Sequence, residues 1–265
     1  MGLTVPPAFA GLEAQLWLWL VAMLRPGAAF YAAPIFGMAA VPVQVRLVIS
    51  LAIGIAGMSA VPFALPPEGI ASVAGVVMIA GEILAGLAMG FAVQIGFSAA
   101  LLAGETIGNT MGLGFAGMVD PHTGSPTPAL GQFLSILATF LFLSMGGHLM
   151  LARILVESYR ALPVGAAWPA ADSLWGLVLF GGDLFAAGLA IALPVGFSLV
   201  LVQLVMGLLA RSAPSMNLFS VGLPATLLAG LILLAIAAPS MGEMIMSSIE
   251  RGLEHARLIA IGTRS

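Results

Sequence analysis

The sequence predicts an all-α integral membrane-assembly protein made of bent helical hairpins, and three observations carry that expectation. Hydrophobic residues make up 61% of the 265-residue chain and charged residues only 7%, whereas a water-facing surface needs roughly a quarter of its residues charged. The apolar residues also fall into runs of about 20, the length that crosses ~30 Å of hydrocarbon as a helix. Finally, 33 Gly and 17 Pro are spread through the chain. Proline removes a backbone hydrogen bond and glycine lets helices approach, so the spans should be bent and tightly packed.

Six runs follow in order. The first, 12–32, carries Arg25 near its end; with no basic start and no small-residue cleavage site it reads as a retained helix rather than a signal peptide. The second, 43–63, lies between Pro42 and the Pro66-Pro67 pair, and the third, 70–103, carries Glu82. After a stretch rich in Gly and Pro come 129–152, then 174–210, interrupted by Asp183 and Pro194, then 216–239. From Met241 the pattern changes: Glu243, Glu250, Arg251, Glu254 and Arg257 alternate with Met244, Ile245, Ile249, Leu253 and Leu258 in a helical rhythm. That predicts an amphipathic tail helix at an interface or against a partner. Pro34 and Pro42, like Pro214 and Pro224, bracket a turn between two apolar helices, which hints at a repeated hairpin unit. With six spans, Arg153, Arg160, Arg251, Arg257 and Arg264 share the side of both termini, against Arg46 and Arg211 with Arg25 nearby. That bias favours termini inside, but the two long runs leave the parity open.

Charge and residue types exclude several classes. Lysine is absent, the formal net charge is −3 and the arginines are scattered, so no basic patch exists to bind nucleic acid. Without cysteine, thiolate metal sites and disulfides are impossible. His122, His148 and His255 lie far apart, so neither a metal centre nor a cofactor is expected. No nucleophile with a base is legible, which argues against an intramembrane enzyme. An ionised group at bilayer depth costs roughly 2.5–3.5 kcal/mol on insertion scales and must be paired, solvated or functional. Glu82 and Asp183 are therefore expected to pair with neighbouring subunits, a proton relay being the alternative. Arg211 should cap a helix C-terminus, His148 should end a span as a satisfied interfacial side chain, and most methionines should be simple gap fillers.

Glycines recur four apart at Gly86 and Gly90 and again at Gly104, Gly108 and Gly112. Such a spacing lines one helix face for close packing within an oligomer. The stretch 104–128 begins helical and ends as loop, with apolar Leu113, Phe115, Met118 and Val119 set among Gly112, Gly114 and Gly117. Irregular backbone bearing apolar side chains is tolerated at membrane depth only where it is buried in protein or lines a cavity. A pore plug and a short re-entrant turn both satisfy that condition. Glu105 and Asp120 flank the segment and are candidate polar anchors, with Asp120-Pro121 also suited to start a turn.

These residues carry a resemblance. Gly104-Glu105-Thr106-Ile107-Gly108, followed by Met111-Gly112-Leu113-Gly114-Phe115-Ala116-Gly117-Met118-Val119-Asp120-Pro121, is similar to the G-E-x-I-G-x-x-M-G-L-x-F-A-x-x-x-D-P run of the FliR/SctT family. Members of that family are export-gate proteins of flagella and of virulence-associated type III secretion. Phe142-Leu143 leading to Gly147-His148, Leu162-Pro163-Val164-Gly165, and Gly207 to Pro214 followed by Gly222-Leu223-Pro224 occur in the family's order, so the resemblance covers nearly the whole chain. It implies FliP-like helical hairpins over 1–172 fused to a FliQ-like hairpin over 173–265. It also implies a non-enzymatic gate subunit in the bacterial inner membrane, at the flagellar basal body or the base of a secretion system. The implied partners are FliP- and FliQ-like subunits, FlhB/FlhA-like apparatus proteins, unfolded export substrates and membrane lipid. The implied plug is Gly112, Leu113, Gly114, Phe115, Ala116, Gly117, Met118 and Val119. Two departures are visible: Gly117-Met118 makes this plug richer in glycine than many members, and the tail after Glu254 does not match. The rival class is a small secondary transporter or channel subunit, for which Glu82 and Asp183 would be the ionisable groups.

Overall fold

The computed structural model describes residues 10–61, 63, 65–115, 129–165, 168–212 and 218–262. These form α1 (Ala10–Ala32), α2 (Val43–Ala60), α3 (Val73–Thr110), a 3-10 turn (Leu113–Phe115), α4 (Ala129–Ser144), α5 (Gly147–Ala161), α6 (Ala171–Ser212) and α7 (Leu218–Ile261). No strand occurs among the described residues, and helices satisfy their backbone groups within each element, one of the two ways open to an apolar chain.

Three of these helices are long and apolar enough to cross a membrane, or four if α4 and α5 act as one broken span. This corrects the six-run reading at three points. The 129–152 run breaks: Met145 closes α4 on Leu141, Gly146 takes φ 71°, and α5 leaves at a 63° bend. Only glycine adopts that left-handed conformation without a Cβ penalty. The amphipathic tail is not a separate element either, because α7 runs unbroken for 44 residues through Pro224 and Pro239. Its buried face is Met241, Ile245, Ile249 and Leu253, while Met244 and Leu258 are exposed. Pro224 inside α7 also removes the supposed likeness to the Pro34–Pro42 turn, so the repeated hairpin is not present in that form. Pro194 similarly sits within the continuous α6, and Arg211 lies in that helix's last turn.

The chain separates into two compact units, one comprising 1–94, 146–180 and 251–265 and the other 95–145 and 181–250. In the first, α1 packs on α2 and α5, and glycines set the spacing. A Cβ at Gly54 would strike the Ala22 carbonyl, and one at Gly57 the Tyr159 ring. Val21, Met78, Tyr159 and Val164 form a buried apolar cluster with Phe63, Leu65, Ile70 and Ile79 against it. Phe180 stacks on His255 with ring centroids 3.9 Å apart, so the start of α6 meets the end of α7. In the second unit, the later part of α3 receives Gly131 of α4 at Gly104, Gly188 of α6 at Leu102, and Ser248 of α7, whose hydroxyl donates to Gly96 O at 2.9 Å.

Candidate functional site

Two arrangements on α3 stand out, one in each unit. The first begins with Pro26, which lies inside α1 and has no N–H to offer. The helical partner it deprives is the carbonyl four residues back, Ala22. The Tyr159 hydroxyl donates to that oxygen at 2.8 Å, filling a need that sits where no water reaches, since Ala22 is fully buried. The same ring lies under the Arg25 guanidinium, with Cζ 4.2 Å from its centroid.

Arg25 is 1% exposed and Glu82 2%. Arg25 Nε donates to Glu82 Oε2 at 2.8 Å and Nη2 to Oε1 at 2.9 Å, the two-pronged geometry in which guanidinium and carboxylate bind best. Nη1 donates to Ser158 Oγ at 2.9 Å and Nη2 also to Leu162 O at 2.8 Å. These bonds engage four of the five guanidinium protons. Ser158 passes its own proton to Leu155 O at 2.7 Å. A buried charge survives only when paired and hydrogen-bonded to this degree. The glycine pair Gly86 and Gly90 belongs to the same assembly: a Cβ at either would collide with the α1 backbone, at the carbonyls of Arg25 and Ala29. The close α1–α3 approach brings the two charges within reach.

This overturns the expectation that Glu82 pairs with a neighbouring subunit; its partner is in its own chain. The signal was present in the sequence as opposite charges in separate apolar runs, and it goes unread when each charge is weighed alone. Asp183 also has an interaction within the chain. His148 stands at the start of α5 rather than at the end of a span, and its Nδ1 is buried without a hydrogen-bond partner.

The second arrangement is the end of α3. Met111 N donates to Ile107 O at 2.9 Å and Gly112 N to Asn109 O at 3.1 Å. Gly112 then turns the chain with φ 83°, the left-handed cap that ends many helices. Gly112 therefore lies beyond the helical face, and the spaced set on it stops at Gly108. Gly104 abuts the backbone of Leu130 and Gly131, with Gly131 Cα 2.5 Å from a Cβ built there, whereas Gly108 has room, its nearest neighbours being Leu130 and Leu113 at 3.7 and 3.8 Å. Past the turn, Leu113 is half-buried and Gly114 exposed in the 3-10 segment that ends at Phe115. Ala116, Gly117, Met118, Val119 and Asp120 lie outside the described residues. Glu105 is half-buried on α3, with its side-chain methylene beside Gly131. Two contacts to this helix end were not foreseen: Gln203 Nε2 of α6 donates to Thr110 O at 2.6 Å, and Met111 packs in the notch left by Gly230 of α7. Among the described residues no group of three or more His, Asp or Glu is placed to hold a metal ion.

Long apolar helices, a buried and hydrogen-bonded ion pair and an apolar segment capped onto a helix end define an all-α membrane protein. The sequence profile described as "Bacterial export proteins, family 1" matches residues 16–252, and the chain belongs to that family. It is similar to the flagellar biosynthetic protein FliR of Escherichia coli K12, 36% identical over 225 residues and 85% of each chain. The proteins of that name from Aquifex aeolicus (31% over 206 residues, 78% of this chain and 79% of the relative) and Bacillus subtilis (29% over 230 residues, 82% and 85%) are also similar.

Proposed function

We propose that this chain is a subunit of the flagellar-type protein export gate in the bacterial cytoplasmic membrane, at the flagellar basal body or the base of a secretion system. There it joins FliP- and FliQ-like subunits, with FlhB/FlhA-like proteins nearby, in a channel for unfolded substrates. Family membership over residues 16–252 supports the export role. Need for partners is supported by large apolar side chains left uncovered along α6, among them Trp175, Phe185, Leu193 and Phe197, each more than half exposed. Faces of this kind belong against lipid or other subunits. We divide the chain into a FliP-like part, 1–172, and a FliQ-like part, 173–265; the two long helices α6 and α7 make up the latter.

In this reading residues 112–119 are a plug that seals the resting pore, with Glu105 and Asp120 as its polar anchors. The observation that carries it is the ending of α3. A 38-residue apolar helix stops at Thr110 and hands over, through the left-handed Gly112, to a short turn carrying Leu113. An apolar constriction excludes water and ions, and a glycine-loosened backbone lets it move aside as gating loops do. The role is mechanical rather than enzymatic. A small secondary transporter would need an ionisable group open to its substrate; both oxygens of Glu82 accept from Arg25, and Asp183, the other candidate, is also engaged within the chain.

The test deletes Gly112 to Ala116 and measures small-ion conductance of the assembled complex in liposomes. The deletion should assemble and leak, and Phe115→Ala should leak less, since Leu113, Met118 and Val119 remain. An assembled deletion variant as tight as its parent would show that 112–119 is a structural loop.

A further inference from the structure

We propose that Gln203 is the positioning residue that clasps the root of the plug, so that α6, the first of the two long C-terminal helices, sets where the plug segment leaves α3. This rests on the plug reading above and adds a residue on a different helix to it. Between Ser198 and Arg211 the sequence is Leu199-Val200-Leu201-Val202-Gln203-Leu204-Val205-Met206-Gly207-Leu208-Leu209-Ala210, in which Gln203 is the sole side chain with a strong hydrogen-bonding group. A primary amide in so apolar a run is costly to place at membrane depth unless it has a partner. Its partner is the last carbonyl of α3: Gln203 Nε2 donates to Thr110 O at 2.6 Å.

That carbonyl is one of the four at a helix end that have no partner within the helix. Its neighbours are provided for locally. Ile107 O accepts from Met111 N and from the Thr110 hydroxyl at 2.7 Å, and Asn109 O accepts from Gly112 N. Thr110 O is reached from another helix, by Gln203. A second contact holds the next residue. Met111 is 2% exposed, filling the space that Gly230 of α7 leaves open, and its carbonyl lies 3.5 Å from Thr226 Oγ1, which donates to Leu223 O at 3.0 Å. Met111 is thus held by shape and a long, shared hydroxyl contact, Thr110 by a short directed bond. Only the directed bond can be removed without changing the packing, because Gln203 is itself exposed. One net hydrogen bond changes a two-state population by roughly three- to tenfold, so loss of the clasp should raise the resting leak by about that factor.

The experiment compares four complexes assembled with their partner subunits in liposomes: parent, the Gly112–Ala116 deletion, Gln203→Leu and Gln203→His. Potassium chloride conductance is read in each, with hydrogen exchange of the amides from Met111 to Phe115. Gln203→Leu, which removes the donor without adding charge, should leak more than the parent and exchange faster. Gln203→His, which can retain a neutral N–H donor, should stay nearer the parent in both than Gln203→Leu does. If the deletion leaks while Gln203→Leu is tight and exchanges like the parent, the clasp is overturned and the plug stands. If the deletion is tight, the plug reading fails and the clasp falls with it. Should Gln203→Leu assemble poorly, exchange in the complex that is recovered decides: unchanged protection at Met111 to Phe115 overturns the clasp.

Discussion

The two parts of α3 are held by different physics. Over residues 73–94 the helix is fixed by a bidentate ion pair, a stacked guanidinium and the Gly86 and Gly90 contacts to α1. Over 95–110 it has backbone contact at Gly104, a hydroxyl bond from Ser248 and a single exposed amide at its end. Directed, charge-assisted bonds in a dry site accept one geometry and resist all others. Apolar packing with neutral hydrogen bonds accepts small displacements at less cost than a buried ion pair does. The difference gives the helix a charge-paired support at one end and a more weakly bonded tip at the other, as the proposed plug would require.

The comparison breaks most visibly at Arg25. Arg25→Met leaves Glu82 buried and unpaired, and removing one partner of such a pair typically costs about 3–5 kcal/mol. The protein should fall sharply in cellular level and in melting temperature in detergent. Arg25→Met with Glu82→Leu replaces both charges by apolar groups and should recover most of the loss. If the double variant is as unstable as the single, the arginine acts through its stem and stacking, and the contrast between the two parts of α3 weakens.

A smaller effect sharpens the description of the distal part. Gly104→Ala puts a methyl group against the Gly131 backbone, where neither side can yield, and should cost about 1–3 kcal/mol as overpacking does. Gly108→Ala meets only ordinary contacts at 3.7 and 3.8 Å and should be neutral or gain up to ~1 kcal/mol of helix propensity. Opposite signs in thermal shift and complex yield are the expected outcome. A shared loss would mean that Gly108 is a contact for another subunit.

Much of this was legible in the sequence, and the failures have a common cause. Hydropathy and length give the helices, because the apolar runs are long and the chain has little else. They misplace the breaks, since Gly146-Gly147 bends the chain while Pro194, Pro224 and Pro239 do not end their helices. A single residue's propensity is overridden when its neighbours supply the missing bonds. The glycine spacing points to close packing, but only contact distances separate the tight Gly104 from the roomy Gly108. The Glu82–Arg25 pairing spans 57 residues and so leaves no trace in local pattern. Gln203 was overlooked for the same reason, its bond to Thr110 spanning 93 residues.

The finest test concerns the proline in α1. Tyr159 matters in this account because Pro26 leaves the Ala22 carbonyl without its helical donor, and the phenol supplies one. Tyr159→Phe keeps the ring beneath Arg25 and removes only the hydroxyl, orphaning a fully buried oxygen at a cost of about 1–3 kcal/mol. Pro26→Ala restores an N–H at the position from which an α-helix would fill that oxygen. In the Pro26→Ala background Tyr159→Phe should therefore cost less, with a coupling of about 0.5–2 kcal/mol between the two sites. The four proteins of this cycle can be compared by their melting in detergent, with the Arg25–Glu82 pair untouched in each. Equal cost of Tyr159→Phe in both backgrounds would mean that the hydroxyl serves something other than the proline gap. A reduced cost would show that Pro26 of α1 and the tyrosine on α5 form one device, a missing backbone bond supplied from another helix beside the ion pair.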